Sequence, residues 1–341
     1  MQGVGFHEHG DASVLKLLDL PEPTAGPGQV VVDVRAVALN HLDIWVRKGW
    51  PGLTLPKPHV GCSDISGVIH SVGPDVTTAA VGDEVVVAPG LCCGSCRFCL
   101  SGEDSLCSRY GILGETVAGG ASQRFLTRAS HVVPKPKGLS FPEAASFPLT
   151  FLTAWRMLMV RAAIKPGEVI LVTGASSGVS VAGIQMAALA GCTIIASTGG
   201  GEKAQRARAL GAHHTVDSAG DLKKQVAAIV GRDGVDVVLE HVGGETFKAA
   251  LGTLRKGGRL VTCGATSGPL VDVDLRHIFL KQQTVLGSTM GSRADLLAIV
   301  KLFEQGRFKA VVDQVLPFAR AADAHRALEN RTHFGKVVMT P

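Results

Sequence analysis

The stretch Ile170–Val181, ILVTGASSGVSV, constrains this chain more than any other. Its apolar start reads as a strand that runs directly into a turn of glycine, alanine and serine, and the turn opens a helix. Small residues let the backbone approach a dinucleotide pyrophosphate, while the unpaired N–H groups and positive dipole end of the following helix face it. The segments after the turn strengthen this reading by their order: a helix over Ala182–Leu189, a strand Thr193–Ala196, a helix over Lys203–Leu210, and strands Val235–Glu240 and Arg259–Cys263. Short apolar strands alternating with helices predict a parallel sheet covered on both faces. Within the turn, Gly174, Ser176, Ser177, Gly178 and Val179 are the expected phosphate contacts.

The flanking sequence has a different texture. Val30–Leu39, Ile65–Val72 and Gly82–Ala88 are β-branched and alternate, and GVIHSVGPDVTTAAVGDEVVV reads as strand, Gly-Pro-Asp turn, strand. Ser122–Thr127 and His131–Pro134 extend this β-rich region, which suits a small barrel. In PKPKGLSFPEAA the prolines mark a boundary, and Ser140 with Glu143 forms a capping-box pattern for a helix at Pro142–Ser146. Phe151–Arg161 reads as an amphipathic helix leading back to the organising strand.

The 341 residues suffice for two domains. A net charge of +5, from 34 basic and 29 acidic residues spread along the sequence, does not imply nucleic acid as a partner, and an anionic substrate is compatible with it. No long uncharged apolar run suggests a membrane span, and the start lacks a signal-peptide pattern, so a soluble, cytoplasmic protein is expected. Five of the eight cysteines crowd into Cys92–Cys107, which argues against a disulfide framework. Cys93, Cys96, Cys99 and Cys107 have the spacing C-x2-C-x2-C-x7-C, which can close a tetrahedron around one structural zinc; Cys92 is an alternative first ligand.

The order of these parts, with the motif PLTFLTAW at 148–155 and the terminal GlyLysValVal, resembles the medium-chain dehydrogenase/reductase superfamily, in particular its zinc-binding alcohol dehydrogenase and quinone oxidoreductase branches. The resemblance implies an α/β chain: a GroES-like β-rich catalytic domain over residues 1–128 and 291–341, with the zinc lobe at 92–107, and a Rossmann domain with a doubly wound parallel sheet over 129–290. It also implies a structural zinc lobe and a homodimer that pairs the strand Thr284–Ser288 with its symmetry mate. The superfamily's catalytic-zinc positions fall here on Asn40, Ser63 and Leu149, with Asp43 and Asp64 at its acidic positions, and Asn, Ser and Leu are poor zinc donors. A rearranged site from His41, His59, Cys62 and Asp64 is the alternative. The proton-relay positions hold Leu42 and Trp45.

Without a catalytic metal, reduction of a conjugated double bond is favoured over alcohol oxidation, because its developing charge is delocalised and can be held by neutral donors. Asn40 is then a candidate donor to the carbonyl oxygen, or a turn-stabilising residue. Trp45, where related reductases carry tyrosine, shapes an apolar pocket with Trp50 or belongs to the core, and Tyr110, the one tyrosine, is the candidate proton donor. For the cofactor, Ser197, Thr198 and Gly199 end the second strand without an acidic residue and Lys203 follows, which favours NADPH over NADH. The resemblance adds Thr153 at the nicotinamide end, together with Ser288 and Lys336. His241, Gly264 and Ala265 lie at the carboxyl ends of strands, where doubly wound sheets bind ligands. The expected activity is an NADPH-dependent reductase of α,β-unsaturated carbonyl compounds, CoA-linked, enone or quinone. The alternatives are a zinc-type alcohol dehydrogenase or carbonyl reductase, and a non-catalytic nucleotide-binding protein.

Overall fold

A computed structural model describes residues 1–341 and divides them into two compact units, Met1–Leu149 with Gly291–Pro341, and Thr150–Met290. The first division falls after Leu149, not at the expected residue 128. The reason is packing: the strand Val132–Pro134 pairs with Glu84–Val87, and Ala145 of the helix Phe141–Ala145 is buried against Ala36, Ala38 and Val338. That helix begins as the pattern predicts, with the Ser140 backbone N–H donating to Glu143 at 2.8 Å.

The unit Met1–Leu149 with Gly291–Pro341 is built around the strand Gln29–Ala38. It pairs antiparallel with Asp64–Val72, with Arg124–Arg128 and, through Val37 and Ala38, with the last strand Lys336–Thr340. Asp64–Val72 in turn forms the expected hairpin with Glu84–Val87. Successive stretches of Gln29–Ala38 feed two separate cores: Val30 and Val32 join Ile69 and Val85, and further along Val34 and Val37 join Ile44, Ile65 and Met339. Strands drawn from residue 29 to residue 340 therefore close one β-rich body.

The unit Thr150–Met290 holds a six-stranded parallel sheet. Counted along the chain, its strands are Val169–Val172, Thr193–Thr198, His214–Asp217, Val235–Glu240, Leu254–Thr262 and Thr284–Gly287, and they lie in the order 3-2-1-4-5-6. This is the dinucleotide-binding order, with the order reversing at the first strand. Ile170, Leu171 and Val172 are all fully buried, as a strand covered on both faces requires.

One helix differs from its expected character. The segment predicted as amphipathic over Phe151–Arg161 is an α-helix over Pro148–Trp155 that widens into a π-helical turn at Arg156–Arg161. Phe151, Leu152, Ala154, Met157 and Leu158 are all buried, so the segment is covered nearly all round and has no solvent face to give it a polar stripe. No helix is long and apolar enough to cross a membrane.

Candidate active site and metal centre

The cysteine lobe follows a short ribbon in which Gly90–Leu91 pairs with Gly111–Ile112. The sulfurs of Cys93, Cys96, Cys99 and Cys107 all lie within 4.8 Å of one another, and none of these cysteines forms a disulfide. The Cys93 and Cys99 sulfurs are 3.8 Å apart and those of Cys96 and Cys99 3.5 Å. Four thiolates about 2.3 Å from one tetrahedral ion stand about 3.8 Å apart, so the cluster fits zinc. Backbone N–H groups of Ser95 and Cys96 donate to the Cys93 sulfur and draw its pKa down to about 5, which favours the thiolate a metal needs. Cys92 stands outside the cluster, so Cys93 is the first cysteine of the set. His41, His59, Cys62 and Asp64 do not come together as a metal-binding group: His59 Nε2 contacts the Gly114 carbonyl at 3.0 Å, and the His41 ring packs edge-on against Trp45, centroids 5.3 Å apart.

In the sheet unit the phosphate turn is organised by hydrogen bonds among its own serines. Ser177 caps the helix Gly178–Leu189, accepting from the Ser180 N–H at 3.1 Å. Ser180 stands where the family's fingerprint ends in glycine, and its fully buried hydroxyl donates to the Thr173 carbonyl at 2.6 Å. That spends its one proton, so His241 Nε2 must be the donor in the 2.8 Å contact with Ser180 Oγ; the same nitrogen lies 2.9 Å from Ser177 Oγ. His241 thereby ties the end of the fourth strand to the turn after the first. Gly174 lies between them at φ +56°, and a Cβ there would come within 3.2 Å of the His241 ring. Ser176, Gly178 and Val179 surround the helix start, whose first N–H groups have no intrahelical acceptor.

The end of the second strand suits a cofactor carrying a 2′-phosphate. Thr198 is buried and its hydroxyl has no hydrogen-bond partner, and Cβ atoms built on Gly199, Gly200 and Gly201 would meet nothing within 4 Å. Glu202 sits in the first turn of the helix Gly201–Ala209, and its side chain is largely exposed and 3.9 Å from Arg206. Lys203 lies in the same turn. The Ser288 hydroxyl is likewise buried without a partner, whereas Thr153 Oγ1 lies 3.9 Å from the Met290 sulfur. Gly264 and Ala265 follow the fifth strand, with Gly264 close against the His241 carbonyl. A residue the sequence reading overlooked holds this loop: Glu240, fully buried, accepts from the N–H groups of Val242 at 2.7 Å and Gly243 at 3.0 Å.

In the barrel unit, the positions where the zinc dehydrogenases keep their catalytic metal hold a closed polar ring. Asn40 ends the loop after Gln29–Ala38 and caps the helix His41–Lys48, where its backbone N–H donates to Asp43 at 2.8 Å. Its side-chain Nδ2 donates to Asp64 Oδ2 at 2.9 Å. Lys336, at the start of the last strand, donates from Nζ to Asn40 Oδ1 at 2.6 Å and to Asp64 Oδ2 at 2.9 Å. Asp64 Oδ1 accepts the Leu149 N–H at 2.7 Å, and Ser63 Oγ donates to the Leu113 carbonyl at 2.6 Å. Asn40, Ser63, Asp64 and Lys336 are all buried. Asp43 is buried beside them, and burial pushes its carboxyl up to about 6 against the pull of the Asn40 and Cys62 N–H groups. Lys336, expected from the resemblance among the cofactor residues, thus has its ammonium bonded to Asn40 and Asp64. The donor set does not fit a second zinc, since the one carboxylate of the ring is already neutralised by an ammonium and the remaining groups are an amide and a hydroxyl.

The two other candidates pack against groups outside this ring. The Tyr110 hydroxyl packs against Gly90, where an added Cβ would lie 2.2 Å from it, so the phenol belongs to the ribbon that carries the cysteine lobe. Trp45 packs on His41 along the helix His41–Lys48, and Trp50 beyond that helix is 42% exposed.

A GroES-like barrel with a cysteine lobe, combined with a dinucleotide-binding sheet, defines an NAD(P)-dependent oxidoreductase. Residues 26–137 match the alcohol dehydrogenase GroES-like domain and residues 178–305 the zinc-binding dehydrogenase domain. A crystal structure of an NAD-dependent alcohol dehydrogenase is similar over all of both chains, with 47% identity and a TM-score of 0.97. Crotonyl-CoA reductase of Streptomyces collinus is 28% identical over 95% of this chain and 80% of its own. The crotonyl-CoA carboxylase/reductase AntE, solved in complex with NADP, is 25% identical with a TM-score of 0.90, covering 100% of this chain and 94% of AntE. The chain belongs to the zinc-type alcohol dehydrogenase-like family of the medium-chain dehydrogenase/reductase superfamily, and it is an enzyme of the oxidoreductase class.

Proposed function

We propose that this enzyme reduces the activated carbon–carbon double bond of an α,β-unsaturated carbonyl compound, an enone or an enoyl thioester, with NADPH. The observation that carries the proposal is the ring of Asn40, Asp64 and Lys336 at the family's metal position. Oxidising a saturated alcohol calls for a strong Lewis acid to lower the hydroxyl pKa, and this donor set does not suit one. Conjugate reduction asks less, because charge spreads from the β-carbon to the carbonyl oxygen and hydrogen-bond donors can hold it there. The amide of Asn40 has two N–H groups and spends one on Asp64, so one remains for that oxygen.

Bound NADPH supplies the hydride for the β-carbon. The buried Thr198 hydroxyl, the open glycines 199–201 and the nearby Lys203 make room and charge for a 2′-phosphate, and the helix start at Gly178 faces the pyrophosphate. Crotonyl-CoA reductases among the relatives support a CoA-linked substrate. The four cysteines hold zinc as a structural ion.

A screen of NADPH oxidation over enones, quinones, aldehydes and short enoyl-CoA thioesters tests this reading, alongside alcohol oxidation with NAD and NADP. Turnover concentrated on the conjugated substrates is expected. Efficient oxidation of simple alcohols with inert enones and enoyl thioesters favours the second reading, which the similarity to an NAD-dependent alcohol dehydrogenase keeps in play. Asn40→Ala should slow turnover by roughly 10²–10³-fold with NADPH affinity little changed.

A further inference from the structure

We infer that Lys336 is a positioning residue for the reaction: its ammonium fixes and polarises the Asn40 amide, providing from the last strand of the chain the positive charge that relatives take from a metal ion. The inference rests on the proposed role of Asn40 as the donor to the carbonyl oxygen.

An asparagine side chain can turn its oxygen and nitrogen through half a revolution, and only its neighbours decide between the two states. Here the neighbours agree. An ammonium can only donate, so the atom 2.6 Å from Lys336 Nζ must be the amide oxygen. An ionised carboxylate can only accept, so the atom 2.9 Å from Asp64 Oδ2 must be the amide nitrogen. Lys336 also donates to that same carboxylate oxygen at 2.9 Å, which closes a ring of three side chains from three distant parts of the sequence. Asp64 is held in turn by the Leu149 N–H on its other oxygen.

The electrical consequence comes from the same contacts. A short hydrogen bond from a charged donor draws electron density toward the amide oxygen and leaves the amide N–H groups more positive, and burial strengthens the effect. One Asn40 N–H is fully occupied by Asp64, so the gain falls on the other. Lys336 itself is only 4% exposed and spends two of its three N–H groups inside the ring, so its influence is best exerted through Asn40.

The test is a double-substitution cycle on kcat with Asn40→Ala and Lys336→Met. Lys336→Met alone should lower kcat on the order of 10–100-fold while leaving the KM for NADPH in place, and Lys336→Arg should recover a substantial part. Because Lys336 acts through Asn40, the double variant should be no slower than Asn40→Ala alone to within about threefold. If the two losses multiply, or if Lys336→Met keeps its kcat, the inference fails. Lys336→Met leaves Asp64 buried without its counter-ion, so the cycle is repeated in Asp64→Asn/Lys336→Met, where both charges are removed together. There Asn40→Ala should cost at least about tenfold less than in the parent enzyme, and an undiminished cost overturns the proposal. The cycle uses whichever substrate class the parent enzyme turns over. A chain that oxidises alcohols and ignores enones therefore defeats the functional reading, while coupling between positions 40 and 336 still decides this one.

Discussion

Arg47 is a fully buried guanidinium, and its neighbours make a pH-sensitive residue out of His325. Its Nη1 lies 3.2 Å from His325 Nδ1 and its Nη2 donates to Glu329 at 2.6 Å. Arginine has no lone pair to offer, so His325 accepts on Nδ1 and is neutral in the folded state. Burial and then the Arg47 charge lower its pKa from the usual 6.5 to about 3. A base with a depressed native pKa contributes stability that is full above its unfolded value and falls as pH drops below it, here from about 6.5 downward, at up to about 1.4 kcal/mol per pH unit. Asp43 works in the opposite sense, because its native pKa is raised to about 6 and its contribution is lost as pH rises through that value. His325→Gln keeps an acceptor for Arg47 and leaves Asp43 alone, so it isolates the histidine. It should lose less stability than the parent between pH 6.5 and 5 in urea unfolding, and parallel curves would show that His325 is not the titrating group. At this scale the sequence was legible where identity alone carries chemistry: Asn40, Ser63 and Leu149 stood out as unsuited to zinc. The bond between Lys336 and Asn40 was not, since the two lie 296 positions apart and no local pattern records that closure.

Among the elements, those with strong local patterns were the readable ones. Val235–Glu240 occupies the span expected for it, and Ser140 with Glu143 caps the helix they announce. The strand His214–Asp217 went unseen because it lies at the sheet edge and buries only Val216, which leaves no alternation or apolar run to detect. The helix after Leu149 was found but misjudged in character, because apolar residues on nearly every side give no stripe. Gly199→Asp places a carboxylate in open space at the end of the second strand, where it repels a 2′-phosphate and can bind ribose hydroxyls. The KM for NADPH should rise by about tenfold or more while that for NADH stays level or falls, and an unchanged ratio would move the phosphate site elsewhere. Cys96→Ser removes one of four ligands, so metal analysis should find less zinc and the melting temperature should drop before kcat changes per folded enzyme. Full zinc content in that variant would refute the assignment of the lobe.

For the molecule as a whole, the strand Thr284–Gly287 closes the parallel sheet on one side with its outer edge unpaired, and Val285 on it is 43% exposed. Such an edge invites pairing, and a second copy of the same strand is the expected partner. Sedimentation should show a dimer at micromolar concentration, and Val285→Lys should shift it toward monomer; a parent enzyme that sediments as a monomer removes the claim. The two-part architecture was legible because its halves differ in period, one alternating by twos and the other cycling between short strands and helices. The exact division was not, because the helix Phe141–Ala145 looks like a connector in sequence, and only its buried packing and the hydrogen bond from the Ser66 hydroxyl to the Phe141 carbonyl tie it to the barrel. The last strand, Lys336–Thr340, also sets an order in time. It fills the place between Gln29–Ala38 and Val312–Pro317, and it brings the only cation bonded to the buried Asp64. While the chain is being synthesised, the whole dinucleotide sheet emerges and can fold before that strand exists, yet the barrel begun first must wait with Asp64 unneutralised. A chain that stops short of Lys336 should therefore have the whole dinucleotide sheet available to fold while Asp64 of the barrel lacks its counter-ion.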